Sequence, residues 1–528
     1  MSEELKYLGA LVARGKLDRR AFLGRAAALG ASAFAPAILA NAALAAGPVK
    51  GGTMRVGLGG GQATDTLDPA LAASEGPNTL LAQFGEKLFE VDPAGAIVPR
   101  LATEFHSSKD AKVWTFKLRD GVTFHNGKPV TANDVVETMK RHADAKSKSA
   151  ALGLMAGITK MSASGNEFVA ELKDPNADFP YIMADYHLII QPDGGRANPA
   201  DGIAAGPYKV VKQEAGVHYV FEKYAGYWDD SRGHANTIDV KIINDDTARM
   251  SAIQSAQVDM INRVAPKVAA LLGRAKTVAV KSVPSRGHYV LVMRATAKPF
   301  DNNDLRLALK YAIDRKTLLD KVLFGHGTLG NDIPINKFYP LFSDDIEQRQ
   351  YDPDKAKFHF KKSGHEGPIL LDTSDVAFPG AVDACQLFQQ SAAAAGIDIQ
   401  IKRDPGDGYW TEVWNNKPFC ASYWNGRPTQ DMVYSTIYTT GAAWNESAYS
   451  NPEFDSTVVL ARGELDTEKR KQLYRKLAMM IRDEGGTIVP MFSNFVDAIG
   501  QHVAGWADDP SAPLMNALAP VKCWLANA

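Results

Sequence analysis

Two stretches in the second half of the chain pass directly from a helical pattern into a strand pattern, and this narrows the fold class more than any other feature. In AVDACQLFQQSAAAAGIDIQIK (381–402) a helical run stops at Gly396 and the alternating strand IDIQI follows at once. In TEKRKQLYRKLAMMIRDEGGTIVPMF (467–492) a long helix gives way to the apolar strand TIVPMF. Helix-to-strand units of this kind build α/β lobes, with helices laid on a sheet. At 528 residues the chain is too long for one small core, so two or more lobes are expected.

The first half reads differently. FGEKLFEVDPAGAIVPRLATEFHSSKDAKVWTFKLRDGVTFHNGKPVTANDVVETMKRH (84–142) has strand, turn, strand, turn, helix punctuation. VDPAG and HNGK supply turn residues, VWTFKL alternates as a half-buried strand, and Thr131 with Asp134 starts a helix as a capping box. A strand-rich subdomain is expected here. Further on, DNNDLRLALKYAIDRKTLLDKVLFG (301–325) can place Leu305, Leu309, Ala312, Leu319 and Val322 on one face of a helix that Gly325 ends.

The N-terminus has the pattern of a targeting segment. LDRRAFLGRAAALGASAFAPAILANAALAAG has a basic start, an Ala/Leu-rich run from about Ala26 to Leu39 that Pro36 breaks, and the triplet Ala43-Leu44-Ala45. Arg19 and Arg20, followed by Phe22 and Leu23, resemble a twin-arginine export signal, so residues 1–45 are expected to be cleaved near Ala45 after export to the periplasm. Residues 1–45 hold six Lys/Arg and three Asp/Glu, which leaves 53 basic against 57 acidic side chains and a formal charge of −4. That balance argues against a nucleic-acid partner.

Several chemistries lack their motifs. GGTMRVGLGGG (51–61) reads as a strand entering a glycine-rich turn, but it contains no GxxxxGK[ST] and opens no dinucleotide fingerprint. HExxH and GxSxG are absent, and His359 with His365 has no further ligand at metal spacing. No enzyme activity, cofactor or metal is expected. Of the three cysteines, Cys385 falls on a core-facing helical position, and a disulfide between two of Cys385, Cys420 and Cys523 stays open.

Together EKLFEVDPAGAIVPRLATEF, VWTFKLRDGVTFHNGKPVTANDVV, GPYKV after Gly206, KPFDNNDLRLALKYAIDR, YDPDKAKFHF and the 468–492 helix and strand, in that order, resemble the dipeptide/oligopeptide/nickel solute-binding proteins of ABC importers, family 5. The resemblance implies an α/β two-lobed periplasmic-binding-protein clamshell (type II, cluster C-like) with an extra strand-rich subdomain in lobe I. It maps lobe I to 48–286, completed by 493–528, and lobe II to 287–492. It also implies a monomer that takes a small solute to a permease and ATPase complex in the inner membrane, after export by the twin-arginine machinery. A periplasmic ligand sensor or a chaperone-like protein on the same fold is the alternative.

In peptide-binding members of that family, the stretch matching YWNGRPTQD carries an aspartate just after Trp-x-Gly that takes the ligand's ammonium group. The matching position here is Arg427, whose planar fork suits a carboxylate instead. The solute expected is therefore a carboxylate-bearing one: an opine, an amino-acid conjugate or a short peptide. An internal salt bridge from Arg427 to Asp431 or Glu412 is the competing reading.

Trp424 and Trp444 offer flat apolar walls or core packing, and Asn445 and Glu446 polar contacts. From lobe I, Glu75 would take a ligand cation or cap a helix, and Asn78 shares its turn with Ser74. Near the lobe boundary, Tyr289 offers a polar contact, and Arg294 a second cation near the cleft or a bridge between lobes. Trp410 and Trp414, four apart, are expected as a core stripe on a helix.

Overall fold

Two strands of unusual length, Val278–Met293 and Thr487–Gly500, pair antiparallel along their whole course and form the spine of the molecule. In the computed structural model, residues 47–526 are described apart from 73–74, 145, 156, 407–408 and 443. The expected signal segment with its Ala45 cleavage point, and Ser74, lie outside the described residues.

One sheet runs through the whole fold, in the order Ile399–Arg403, Ile369–Thr373, Phe419–Trp424, Val278–Met293, Thr487–Gly500, Met260–Ile261, Thr53–Leu58, Thr237–Ile242, His218–Lys223 and Tyr208–Glu214. The two long strands supply both halves: their 287–293 and 487–492 portions carry one lobe, and their 278–284 and 494–500 portions the other. The ladder slips between Pro284 and His288 and again between Tyr289 and Leu291, the first being the longer gap in the pairing. The result is a mixed α/β two-lobed clamshell.

Each lobe has its own interior. Leu305, Leu309, Cys385, Phe388, Tyr434 and Ile481 belong to one apolar core, and Val56, Leu80, Phe84, Tyr208 and Val240 to another. A third core, around Trp114, Phe116, Phe168 and Met139, sits under the antiparallel sheet Ala102–Ser107, Val113–Leu118, Glu167–Leu172, Ile158–Ser164. VWTFKL alternates as its pattern requires, and the Thr131/Asp134 capping box closes in both directions at the start of Ala132–Ala143.

Local patterns deviate in two places. The single helix expected over 301–325 is two, Asn303–Ala312 and Arg315–Val322. Ile313 is extended, and the Asp314 carboxylate accepts from the backbone N–H of Thr317, so a new N-cap interrupts the apolar stripe. The expected core stripe of Trp410 and Trp414 is not a regular helix either. Tyr409–Val413 is one π-helical turn, which leaves Trp410 37% exposed while Trp414 packs against the core. All three cysteines are free and buried. Among the described residues no helix is long and apolar enough to cross a membrane.

The C-terminal segment returns to the first lobe through a strained turn. Leu514, Met515, Asn516 and Ala517 all have positive φ (52, 58, 58 and 65°), a conformation costing about 1–2 kcal/mol per non-glycine residue. Asp497, fully buried on the long strand, accepts the Leu514 N–H at 2.7 Å and anchors this turn. Burial pushes the Asp497 carboxyl up to about 7. A carboxyl with a folded value above its unfolded one contributes stability below about pH 4 that is lost as pH rises through about 7. The full difference corresponds to about 4 kcal/mol. Asp497→Asn keeps an acceptor for Leu514. It should raise the melting temperature at pH 8 and flatten the decline between pH 4 and 8; calorimetry across that range showing an unchanged slope would contradict the assignment.

Candidate functional site

Arg427 is fixed by the strand that precedes it and the helix that follows. Phe419–Trp424 pairs with the 288–293 part of the long strand, Trp424 lying opposite His288, and Thr429 caps the helix Gln430–Ile437. Between them the chain passes tightly over Arg286: a Cβ on Gly426 would sit 2.4 Å from the Arg286 Cβ, so only glycine fits. The Arg427 backbone N–H donates to the Tyr339 hydroxyl at 3.2 Å. Position 427 is thus held from both sides, at the carboxyl end of a strand where α/β crevices open.

A cavity of about 450 Å³ lies in front of it, between Gly153, Leu154, Phe179, Tyr186 and His187 on one side and Arg427, Asp431, Ser435 and Arg462 on the other. The guanidinium lies 5.9 Å from the Trp444 ring, and its buried Nε has no hydrogen-bond partner. Asp431 does not pair with it. Both Asp431 oxygens accept from the Arg462 Nε at 3.0 Å, and Ser435 donates to the same carboxylate. Among the described residues no carboxylate, Glu412 included, forms an ion pair with Arg427. Across the cavity, burial pushes the Tyr186 hydroxyl up to about 12, with the Arg427 charge acting in the opposite direction.

A second cavity, about 530 Å³, opens at the same junction between Phe105, Trp114 and Tyr181 and Gln430, Arg470 and Tyr474. Its charged floor is already paired: Arg470 meets Asp178 at 2.6 Å, and together with the Ala177 N–H to Arg462 carbonyl bond this clasps the strand-rich sheet to the other lobe. The 450 Å³ cavity is the one with a cation left over.

The other expected residues divide into a wall and its supports. Trp444 is 49% exposed and lies 5.9 Å from Trp424, which is buried. Glu446 lies beneath both, fully buried, and accepts from Trp424 Nε1 at 2.6 Å and Trp414 Nε1 at 2.5 Å. Burial pushes its carboxyl up to about 6, and the two indole N–H groups pull the other way. Asn445 is occupied within its own loop, donating to the carbonyls of Thr439 and Tyr449 and accepting from the Tyr449 N–H. Arg294 donates to the Asn415 backbone and side chain, at 2.7 and 2.8 Å, which ties the Trp414 turn to the Glu446 loop within one lobe; it does not bridge the lobes.

Tyr289 stacks on Phe378 at 4.2 Å, inside the same lobe. Glu75 heads the helix Glu75–Phe84 and pairs with Arg263 at 2.6 Å. Asn78, one turn on, faces a separate small cavity. Asn445, Arg294 and Glu446 therefore make their contacts inside the protein, while Arg427 lines the cavity and Trp444 lies near its guanidinium. Tyr186 and Arg462 were missed by sequence reasoning, since a tyrosine after a short helix and an arginine at a helix end carry no local signal.

Replacing Glu446 by Ala leaves two indole N–H groups without their acceptor, so Glu446→Ala should destabilise the protein by about 2–4 kcal/mol. Denaturant titration measures the loss, and tryptophan emission should shift as the Trp414 and Trp424 surroundings loosen.

The sequence model for bacterial extracellular solute-binding proteins, family 5 (middle), matches residues 96–446. The glutathione-binding protein GsiB of Pectobacterium atrosepticum is 26% identical over 439 residues, covering 79% of this chain and 84% of that protein. Two solved structures share the fold, each over 90% of this chain and 99% of the other at a TM-score of 0.74. One is the periplasmic binding protein DppA from Helicobacter pylori in complex with the peptide STSA, 20% identical. The other is AgaA of A.tumefacien R10 in complex with agropinic acid, 21% identical.

Proposed function

The chain belongs to the bacterial extracellular solute-binding proteins of family 5, and from that premise we propose that it captures a small carboxylate-bearing solute in the periplasm and delivers it to an ABC importer. The observation that carries this reading is the unpaired guanidinium of Arg427 on the wall of the 450 Å³ cavity. A cation without a partner in a part-buried cavity is costly unless an anion completes it. A solute carboxylate does so through two parallel N–H···O bonds. Leu154, Phe179 and Tyr186 on the same cavity give the solute an apolar face, and the size of the cavity suits an opine, an amino-acid conjugate or a short peptide.

We place the hinge at 284–287 and 493, so that lobe I spans 48–286 with 493–528 and lobe II spans 287–492. The twin-arginine export route belongs to the same proposal. The reading is of a receptor that binds its solute without turnover, and it rests on the relatives being named as binding proteins.

A thermal-shift screen of the mature protein against matched solutes, each free acid beside its amide, tests the carboxylate. A ligand at a hundred times its Kd adds about 2.7 kcal/mol of stability. The acids should stabilise the protein and their amides should not, and Arg427→Met should weaken acid binding by about 2–5 kcal/mol. Peptides that stabilise it equally with their carboxylates blocked would overturn the reading.

A further inference from the structure

The unpaired cation at Arg427 has a counterpart on lobe I. A cavity of about 40 Å³, with Tyr186 as the wall it shares with the 450 Å³ cavity, is lined by Asn78, Glu86, Lys87, Glu90, Arg232 and Asn516, among others. Its charges are matched except one. Glu86 accepts Arg100 at 2.8 Å and the Tyr227 hydroxyl, Glu90 accepts Arg232 at 2.8 Å and Lys522 at 2.6 Å, and Asp229 accepts Arg100 at 2.8 Å. Another acid whose charge reaches Lys87, Asp185, pairs with His187 at 2.6 Å. Three carboxylates thus take up Arg100, Arg232 and Lys522, and Lys87 is the charge left over.

Lys87 meets no ion-pair or side-chain hydrogen-bond partner among the described residues, and neither do the amides of Asn78 and Asn516. An ammonium and two carboxamides, all capable donors, therefore share the lining of one small cavity. Asn516 is held there by the left-handed turn that Asp497 anchors. Burial, with a smaller contribution from the Arg232 charge, pulls the Lys87 ammonium down from its ordinary value, while Glu90, Asp185 and Glu86 act to keep it charged. The space is too small for a second solute but holds a few water-sized groups, the scale of one carboxylate.

We infer that the solute carries a second anionic group, seated on lobe I by Lys87 with Asn78 and Asn516, so that the substrate class is a dianion held at Arg427 and at Lys87. This rests on the carboxylate reading of Arg427 and sharpens it.

Titration calorimetry of the mature protein with dicarboxylates and their matched monoamides, such as N-acetylglutamate beside N-acetylglutamine, tests it with wild type, Lys87→Met and Arg427→Met. Wild type should bind the diacid at least about tenfold more tightly than the monoamide, as a charged hydrogen bond implies. Lys87→Met should reduce that preference to within about twofold, and Arg427→Met should weaken both members. A preference that Lys87→Met leaves intact overturns the second site. An Arg427→Met protein that binds normally overturns the Arg427 reading, while loss of preference in Lys87→Met keeps the lobe I site. If Lys87→Met does not fold, Asn78→Asp, which puts an acid in the cavity, should abolish the preference. If no diacid pair binds wild type, crystals soaked in malonate decide: an anion within hydrogen-bond distance of Lys87 supports the site, and an empty cavity overturns it.

Discussion

The pairing of Val278–Met293 with Thr487–Gly500 is the constraint on which the rest of the molecule hangs. Because both strands pass through both lobes, each lobe completes its sheet with the other's chain, and neither half can fold its sheet without the spine. The ladder slips between Tyr289 and Leu291 and, over a longer gap, between Pro284 and His288, where Arg286 is buried against Tyr339 and donates to the Phe338 carbonyl. The same gap receives the turn at Gly426 that fixes Arg427. The gap between Pro284 and His288 is where we place the hinge, and it puts the candidate anion site beside that joint.

The patterns visible in the sequence are those that depend on neighbours in the chain. The strand VWTFKL, the Thr131/Asp134 capping box, the Cys385 core position and the helix-to-strand units came through as read, because alternation, caps and helical faces are local properties. Where two local signals competed, the stronger hydrogen-bonding one won: Asp314 could cap a new helix, so the stripe from Leu305 to Val322 broke in two. The motif Trp-x-Gly-Arg could be read for position and charge, but not for pairing. That Asp431 belongs to Arg462 and not to Arg427 depends on a residue 31 positions away.

The supports of the site were equally hidden. Glu446 was expected as a ligand contact, and it lies under two tryptophans as the acceptor that orients them. Nothing in GAAWNESAYS distinguishes an exposed glutamate from one enclosed by indole rings 22 and 32 residues upstream. Arg294 and Asn445 have the same character, with every observed contact made inside one lobe. Of this group only Trp444 faces outward by half its surface.

Charge matching gives the site its logic. Most buried cations of this protein meet a carboxylate or a set of carbonyls: Arg315 and Arg349 share Asp332, Arg470 takes Asp178, and Lys310 donates to the carbonyls of Ile481, Arg482 and Gly485. A chain that completes its buried charges so consistently leaves Arg427 and Lys87 open on opposite lobes, on two cavities that meet at Tyr186. In the proposed reading, closing the lobes over Arg427 without an anion is opposed by desolvation of its guanidinium, whereas Lys87 lies in a cavity lined by lobe I alone. An anionic solute reverses the sign of that term. Its differential affinity for a closed form is what a ligand needs in order to shift such an equilibrium, and in the proposed reading Arg427 supplies it at the cavity between the lobes.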